Sequence, residues 1–179
     1  MSGGLAVHPV TAARWHDMEA LFEAKGSPHY CWCVPYRFAD AHTFDKAQRK
    51  EAMQGLIQAG TPVGVLAYQG GEPVGWCSVA PRPTYAKLER SRTMPLAEMD
   101  AASTWAVLCF FVARPGRGGG VALRLLEGGV AYAKANGALA VEGYPWDTMG
   151  ISSTHRGHSS WFHAAGFRKE EKRWVKRFH

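Results

Sequence analysis

The stretch Trp105-Ala-Val-Leu-Cys-Phe-Phe-Val-Ala-Arg-Pro-Gly-Arg-Gly-Gly-Gly-Val-Ala-Leu-Arg-Leu-Leu126 decides the fold. Trp105 to Val112 has the length and the aromatic and β-branched content of an interior strand, and Leu123, Leu125 and Leu126 open a helical register. Between them stand Arg117, Gly118, Gly119 and Gly120. Without Cβ atoms, successive glycines let backbone N–H groups turn toward one anion, and the emerging helix adds the positive end of its dipole. Each such contribution is worth roughly 0.3–1 kcal/mol in the open and up to about 2 when sheltered, so several must converge on one group, as they can on a diphosphate.

Two other readings of the loop compete. A flexible turn without a ligand would spend helix stability on glycine for no return. A dinucleotide fold is encouraged by Glu142, about twenty residues downstream at the end of the next strand. The G-x-G-x-x-G/A pattern, however, is not met from Gly116, Gly118 or any other start, and too little chain follows to complete such a sheet.

Outward from the loop, Ala6 to Val10 reads as a first strand, and Thr11 caps a helix to Glu23 with Trp15, Met18, Leu21 and Phe22 on its apolar face. An aromatic loop, Gly26 to Arg37, precedes a second helix from Asp45 to Ala59. Val63 to Tyr68 and Pro73 to Ala80 make a hairpin across Gln69-Gly-Gly-Glu72. Pro81 to Ser103, rich in proline and charge, reads as a surface connection, and Arg168 to His179 as a terminal hairpin.

Read as Arg117-x-x-Gly120-x-Ala122, the loop resembles the acyl-CoA signature of the GNAT superfamily of N-acetyltransferases. Leu125-Leu126, Gly137 at the helix end, the apolar strand Ala138 to Tyr144, and Phe162-His-Ala-Ala-Gly166-Phe167 follow in that family's order. The likeness is good over about residues 60 to 179 and looser before. Cys31-Trp32-Cys33 with Gly75-Trp76-Cys77 is similar to a bacterial subgroup that carries a CWC segment after the first helix.

The resemblance implies an α/β (α+β) fold over residues 1–179 as one domain, its mixed, mostly antiparallel sheet of six to seven strands splayed at the central strand and flanked by helices. It implies acetyl-CoA as cosubstrate. The backbone of Phe110, Phe111 and Val112 would take the pantetheine arm, Arg117, Gly118, Gly119, Gly120, Val121 and Ala122 the pyrophosphate, and His155 would stand near the arm. It also implies that the first interhelical loop overlies the acceptor, so Trp32, Tyr36 and Trp76 either wall the substrate pocket or fill the core beneath it.

Acetyl transfer needs a held thioester, a deprotonated amine and a proton for the departing thiolate. Here the chain departs from its relatives. The glutamate base of the histone-modifying branch aligns with Ala106, and the usual tyrosine acid aligns with Phe162. Glu142 and Tyr144 are the substitutes, because strand alternation puts them on one face. A partly desolvated Glu142 could draw a proton through water and Tyr144 could act as acid. Against this, Glu142 could pair with a surface arginine and Tyr144 could merely pack before Pro145. Asp147, His155 and His158 sit in a long connection, with Asp147 set to meet a cationic acceptor.

Composition limits the alternatives. The chain of 179 residues carries a formal net charge of +6, with 46% apolar residues, enough for an adequate core. Much of the basic excess lies in the last twelve residues, where Trp174 and Val175 interrupt it like a half-buried strand, so a solvated hairpin is preferred to a nucleic-acid surface. The longest apolar run, Trp105 to Ala113, is too short to span a bilayer. Four scattered cysteines read as reduced thiols, consistent with a cytoplasmic protein. No metal is expected: Cys31-x-Cys33 lacks a second ligand pair and His155-x-x-His158 lacks the HExxH context. The expectation is an acetyl-CoA-dependent N-acetyltransferase acting by direct attack on a small-molecule primary amine, such as an amino sugar or aminoglycoside-type antibiotic, which would make antibiotic resistance its role. A protein or peptide acceptor is the alternative. From other classes, an oxidoreductase or a basic nucleic-acid module remains, and oligomeric state stays open between monomer and homodimer.

Overall fold

The computed structural model of the chain describes residues 4–96, 100–147 and 154–178. Seven strands form one sheet in the order β1-β2-β3-β4-β5-β7-β6: Ala6–Pro9, Gly64–Gln69, Glu72–Pro81, Thr104–Val112, Ala140–Gly143, Arg173–Arg177 and Arg168–Glu170 in that spatial order. Neighbours pair antiparallel except β4 and β5, which run parallel from Thr104↔Ala140 to Val107↔Gly143. A parallel pair needs a crossover, and helix α3 (Val121–Ala135) supplies it. Helices α1 (Trp15–Glu23) and α2 (Lys46–Gln58) cover the opposite face, and short α4 (Ser159–Ala164) lies beside α3.

The local signals behave as chemistry requires. Asp45 caps α2 in a reciprocal box, its carboxylate accepting from the Gln48 amide at 2.8 Å while the Gln48 side chain accepts from the Asp45 amide at 2.8 Å. Gly137, at φ +84°, ends α3 in a conformation that costs other residues dearly. The first helix departs from expectation: Thr11 makes no side-chain cap bond, and the chain enters through a 3₁₀ turn, Ala12–Arg14, before α1 starts at Trp15.

The long connection before β4 also differs from the surface loop its composition suggests. It folds as 3₁₀ turns at Arg82–Thr84, Ala86–Leu88 and Ala101–Ser103 and buries Tyr85, Leu88 and Met94 against Ala80, Ala106, Leu108 and Tyr144. Proline and charge marked its turns, but the apolar residues between them close one end of the sheet.

A register shift in β4 positions the site. Ser78 pairs with Cys109 and Val79 with Val107, leaving Leu108 as an extra residue in β4. Such a bulge turns the alternation over. Trp105 and Val107 face α3 before it, Phe110 faces α3 after it, and Cys109 and Phe111 turn toward α1 and α2.

Candidate active site

Pairing between β4 and β5 stops at Val107↔Gly143, immediately before the bulge, while β4 continues to Val112. On its other edge the same stretch stays paired to β3 through Cys77↔Phe110, Trp76↔Phe111 and Gly75↔Val112. The backbone of residues 108–112 therefore presents one strand edge into the gap where the two strands diverge. Gly157, buried on the segment that returns toward α4, rests against the Phe110 ring, and its carbonyl accepts from the Trp146 amide at 2.9 Å. A Cβ there would meet Phe110 at 2.9 Å, so glycine is what lets the segment approach β4.

Beyond Val112 a 3₁₀ turn, Arg114–Gly116, leads to Arg117, Gly118, Gly119 and Gly120, all exposed. Gly118 and Gly120 hold φ of +84° and +72°, and around each a Cβ would find nothing within 4 Å. Gly120 caps α3 in the left-handed conformation with no side-chain cap bond. The first amides of a helix have no intrahelical acceptor, so those of Val121 and Ala122 point out of α3 beside an open glycine turn. Arg117 is committed partly to shape, its Nε donating to the Val112 carbonyl at 3.0 Å. An open cradle of donors with no side chain over it is chemically suited to a diphosphate.

At the end of β5 the structure joins Glu142 and its near neighbour Tyr144 to an arginine 60 residues earlier than Glu142. Glu142 is fully buried and forms an ion pair with Arg82, which is itself 5% exposed. Arg82 Nη1 also donates to the Tyr144 oxygen at 2.6 Å, and the Tyr144 hydroxyl lies 2.9 Å from Glu142 Oε1 and 3.1 Å from the Pro95 carbonyl. Arg82 Nη2 donates to the carbonyls of Leu88 and Met94 at 3.0 and 2.8 Å, which ties the 3₁₀ segment to β5. Burial, and then the Glu142 carboxylate, push the Tyr144 hydroxyl above its ordinary value, so it holds its proton at neutrality. Glu142 is thus partnered by a buried arginine rather than a surface one, and it has no face on solvent. Tyr144 stands between this pair and an open cleft of about 560 Å³, which Trp146, Asp147, Arg156, Lys169 and Trp174 also line.

The other residues singled out in the sequence scatter. Trp32 and Trp76 are 0% exposed and pack with Phe22, the first stacked on it at 5.0 Å and the second edge-on at 5.7 Å. As folded they fill the core beneath the loop and present no surface to a ligand. Tyr36 is half-buried against the Tyr85 and Leu88 cluster, and burial raises its hydroxyl. Asp147 is exposed and pairs with Lys169 at 3.5 Å, its carboxyl held down by Ser159 and then Lys169. His155 is exposed on the turn Thr154–Arg156. His158 caps α4, accepting from the Ser160 amide at 3.1 Å.

Arg82 and Arg156 escaped the sequence reading. Arg156 lies over the Trp146 ring at 4.1 Å, and burial lowers its basicity. The sequence does carry a clue for Arg82, a lone cation between Pro81 and Pro83 at the end of an apolar strand. Among the described residues no helix is long and apolar enough to cross a membrane.

The sequence matches the acetyltransferase (GNAT) family over residues 15–149. A comparison with curated proteins finds no match. Among solved structures, the chain is similar to aminoglycoside acetyltransferase AAC(6')-Ib in complex with coenzyme A, with a TM-score of 0.60 at 15% identity over 97% of this chain and 95% of that one. A GNAT family acetyltransferase from Brucella melitensis in complex with acetyl-CoA superposes with a TM-score of 0.54 at 11% identity, over 98% and 89% of the two chains. A GNAT acetyltransferase from Streptococcus pneumoniae gives 0.54 at 10% identity over 98% and 100%. At these identities the likeness is one of fold.

Proposed function

The chain belongs to the GNAT acetyltransferase family, and from that premise we propose that it moves the acetyl group of acetyl-CoA to a primary amine of a small molecule by direct attack in a ternary complex. The observation that carries this reading is the uncovered glycine cradle at the start of α3, contiguous with the β4 edge that β5 leaves unpaired. Acetyl-CoA supplies the activated acyl thioester. The amides of Gly118 to Ala122, with Arg117, hold its diphosphate. The 110–112 edge receives the pantetheine arm as an added strand, its N–H groups polarising the thioester carbonyl, and His155 lies toward the same arm.

Tyr144 is the proton donor to the departing thiolate. It borders the cleft, and Arg82 bonded to its oxygen stabilises the phenolate as it forms. Glu142 takes a positioning role: it neutralises Arg82 and fixes the Tyr144 hydroxyl, and its burial keeps it from the amine itself. Tyr36 and Asp147 flank the acceptor, whereas Trp32 and Trp76 support the loop from below.

For the acceptor, an amino sugar or aminoglycoside-type antibiotic is the first reading, which would make the enzyme a resistance determinant. A second is favoured by the cleft's own charge. Arg156, Lys169 and Lys172 outnumber Asp147 and Glu171 along its lining, a balance that suits an amine carrying an acid, such as an amino acid or peptide, better than a polycation. The deciding experiment is release of CoA thiol on a panel of aminoglycosides, amino sugars, amino acids and peptides. Turnover of any amine supports the proposal, with its class choosing between the readings. No thiol release with any of them, together with no heat on titrating acetyl-CoA, overturns it.

A further inference from the structure

The cleft beside Tyr144 is lined by an arginine that, among the described residues, no acid answers. Two other arginines drawn into the fold are satisfied. Arg82 is neutralised by Glu142, and Arg37, 4% exposed, donates to the carbonyls of Cys33 and Val63 and to Ser78 Oγ at 3.2, 2.7 and 2.8 Å. Arg156 is different. Its guanidinium carbon lies 4.1 Å from the centre of the Trp146 ring, and its Nε is sealed from solvent without a hydrogen-bond partner. Among the described residues no carboxylate forms an ion pair with it. The other two cations of the cleft have acids at hand: Lys169 pairs with Asp147 at 3.5 Å, and Lys172 has Glu171 beside it on the turn between β6 and β7.

The segments that carry Trp146 and Arg156 are pinned together. The Trp146 amide donates to the Gly157 carbonyl at 2.9 Å, the Ser159 amide donates to the Trp146 carbonyl at 3.0 Å, and Trp146 and His158 form a parallel bridge. Gly157, the next residue after Arg156, rests against the Phe110 ring, which sets Arg156 beside the β4 edge that β5 leaves unpaired. A guanidinium laid on an aromatic face keeps its outer N–H groups for an acceptor, and its planar fork matches a carboxylate with two parallel bonds. One unanswered positive charge suits the single negative charge of a carboxylate better than a phosphate dianion, and it repels a polycation. Trp146, 39% exposed, and half-buried Trp174 add apolar surface to the same cleft.

We propose that Arg156, seated on Trp146, is the specificity-determining residue of the cleft, and that it binds the carboxylate of an acceptor carrying both the reacting amine and an acid, as a free amino acid does. The inference rests on the acetyl-transfer reading above and commits it to one class of acceptor. Arg156 takes no part in making or breaking bonds. It holds the acid through charge-assisted hydrogen bonds, which leaves the amine end of the molecule to reach toward Tyr144 and the 108–112 edge.

The test compares acceptors that differ only in the acid. Release of CoA thiol is followed on a set of free amino acids, each beside its carboxamide, and on aminoglycosides. For the amino acid that is turned over, kcat/KM should exceed that of its amide by at least about tenfold, the scale of a hydrogen bond to a charged group. In Arg156→Gln the KM for the amino acid should rise to that of the amide, with kcat much less affected, whereas losing a merely structural arginine would impair acid and amide alike. Arg156→Lys, which keeps the charge but not the fork, should recover part of the preference. A calorimetric titration with acetyl-CoA reports that each variant is folded. Equal use of acid and amide, preference for aminoglycosides, or an acid preference that survives in Arg156→Gln would overturn the carboxylate anchor while leaving acetyl transfer standing. No thiol release with any amine, together with no heat from acetyl-CoA, would overturn the acetyl-transfer reading and the anchor with it.

Discussion

Ala106 of β4 and Glu142 of β5 lie directly opposite each other in the parallel ladder, and Ala80 of β3 pairs with Ala106 on its far side. The buried carboxylate therefore stands on β5 opposite an alanine of β4, locked to Arg82 and hydrogen-bonded to Tyr144.

Replacing Glu142 by Gln leaves the Arg82 guanidinium buried without its counter-charge. Breaking a sealed ion pair in this way costs about 3–5 kcal/mol, which a urea unfolding curve will read as a lower midpoint at unchanged slope. A midpoint within error of the parent would show that the pair is not held as described.

Tyr144→Phe removes the proposed proton donor and one Arg82 acceptor while keeping the ring that packs against Leu88. The expected result is a fall in kcat of about a hundredfold, the lower end of what general acid catalysis supplies, with the KM for acetyl-CoA unchanged. Steady-state kinetics on the amine identified by the acceptor panel will measure both; unaltered kcat removes Tyr144 from the chemistry.

Gly120→Leu places a side chain over the cradle at φ +72°. Left-handed backbone costs a branched residue roughly 1–2 kcal/mol in stability. Affinity for CoA should fall at least about tenfold, or about 1.4 kcal/mol, in a calorimetric titration. Retained affinity would move the diphosphate elsewhere.

Gly55 provides the contrasting case. It sits exposed inside α2, where a Cβ meets nothing within 4 Å, and its backbone is not left-handed. Gly55→Ala should therefore raise unfolding stability by roughly 0.5–1 kcal/mol, with CoA binding untouched.

Alkaline pH should weaken the fold through its buried tyrosines. Burial raises Tyr85 and Tyr144 above the ordinary tyrosine value, so in the unfolded chain they ionise first. Their contribution is fully present below about 10, the unfolded value, and is lost as pH climbs from there toward the folded values. Urea midpoints that decline above about pH 10 and shift less in Tyr144→Phe would carry that signature.

Much of the frame was legible because it rests on contacts a few residues long. The strand that empties through Arg117 to Gly120 into α3, the Gln69–Glu72 hairpin, the second helix beginning at Asp45 and the Gly137 stop each follow from local backbone preference. Other features depended on what lies across the sheet. Leu108 bears no mark of a bulge, since only pairing with β3 shows that it is extra. Trp32 and Trp76 suited a pocket wall and a core equally well, and stacking on Phe22 from α1 decided it. The 81–103 connection looked like surface because its prolines and charges outnumber the apolar residues that anchor it.

By itself the sequence determined the order of strands and helices, the glycine turn and the family to which they belong, because φ preferences, side-chain periodicity and missing Cβ atoms act over a single turn of chain. Tertiary structure alone decided which buried cation meets which partner: Arg82 with Glu142 and Tyr144, Arg37 with Cys33 and Ser78. Desolvation makes those pairings strong, and desolvation is a property of what surrounds a residue in space, which its neighbours along the chain do not encode.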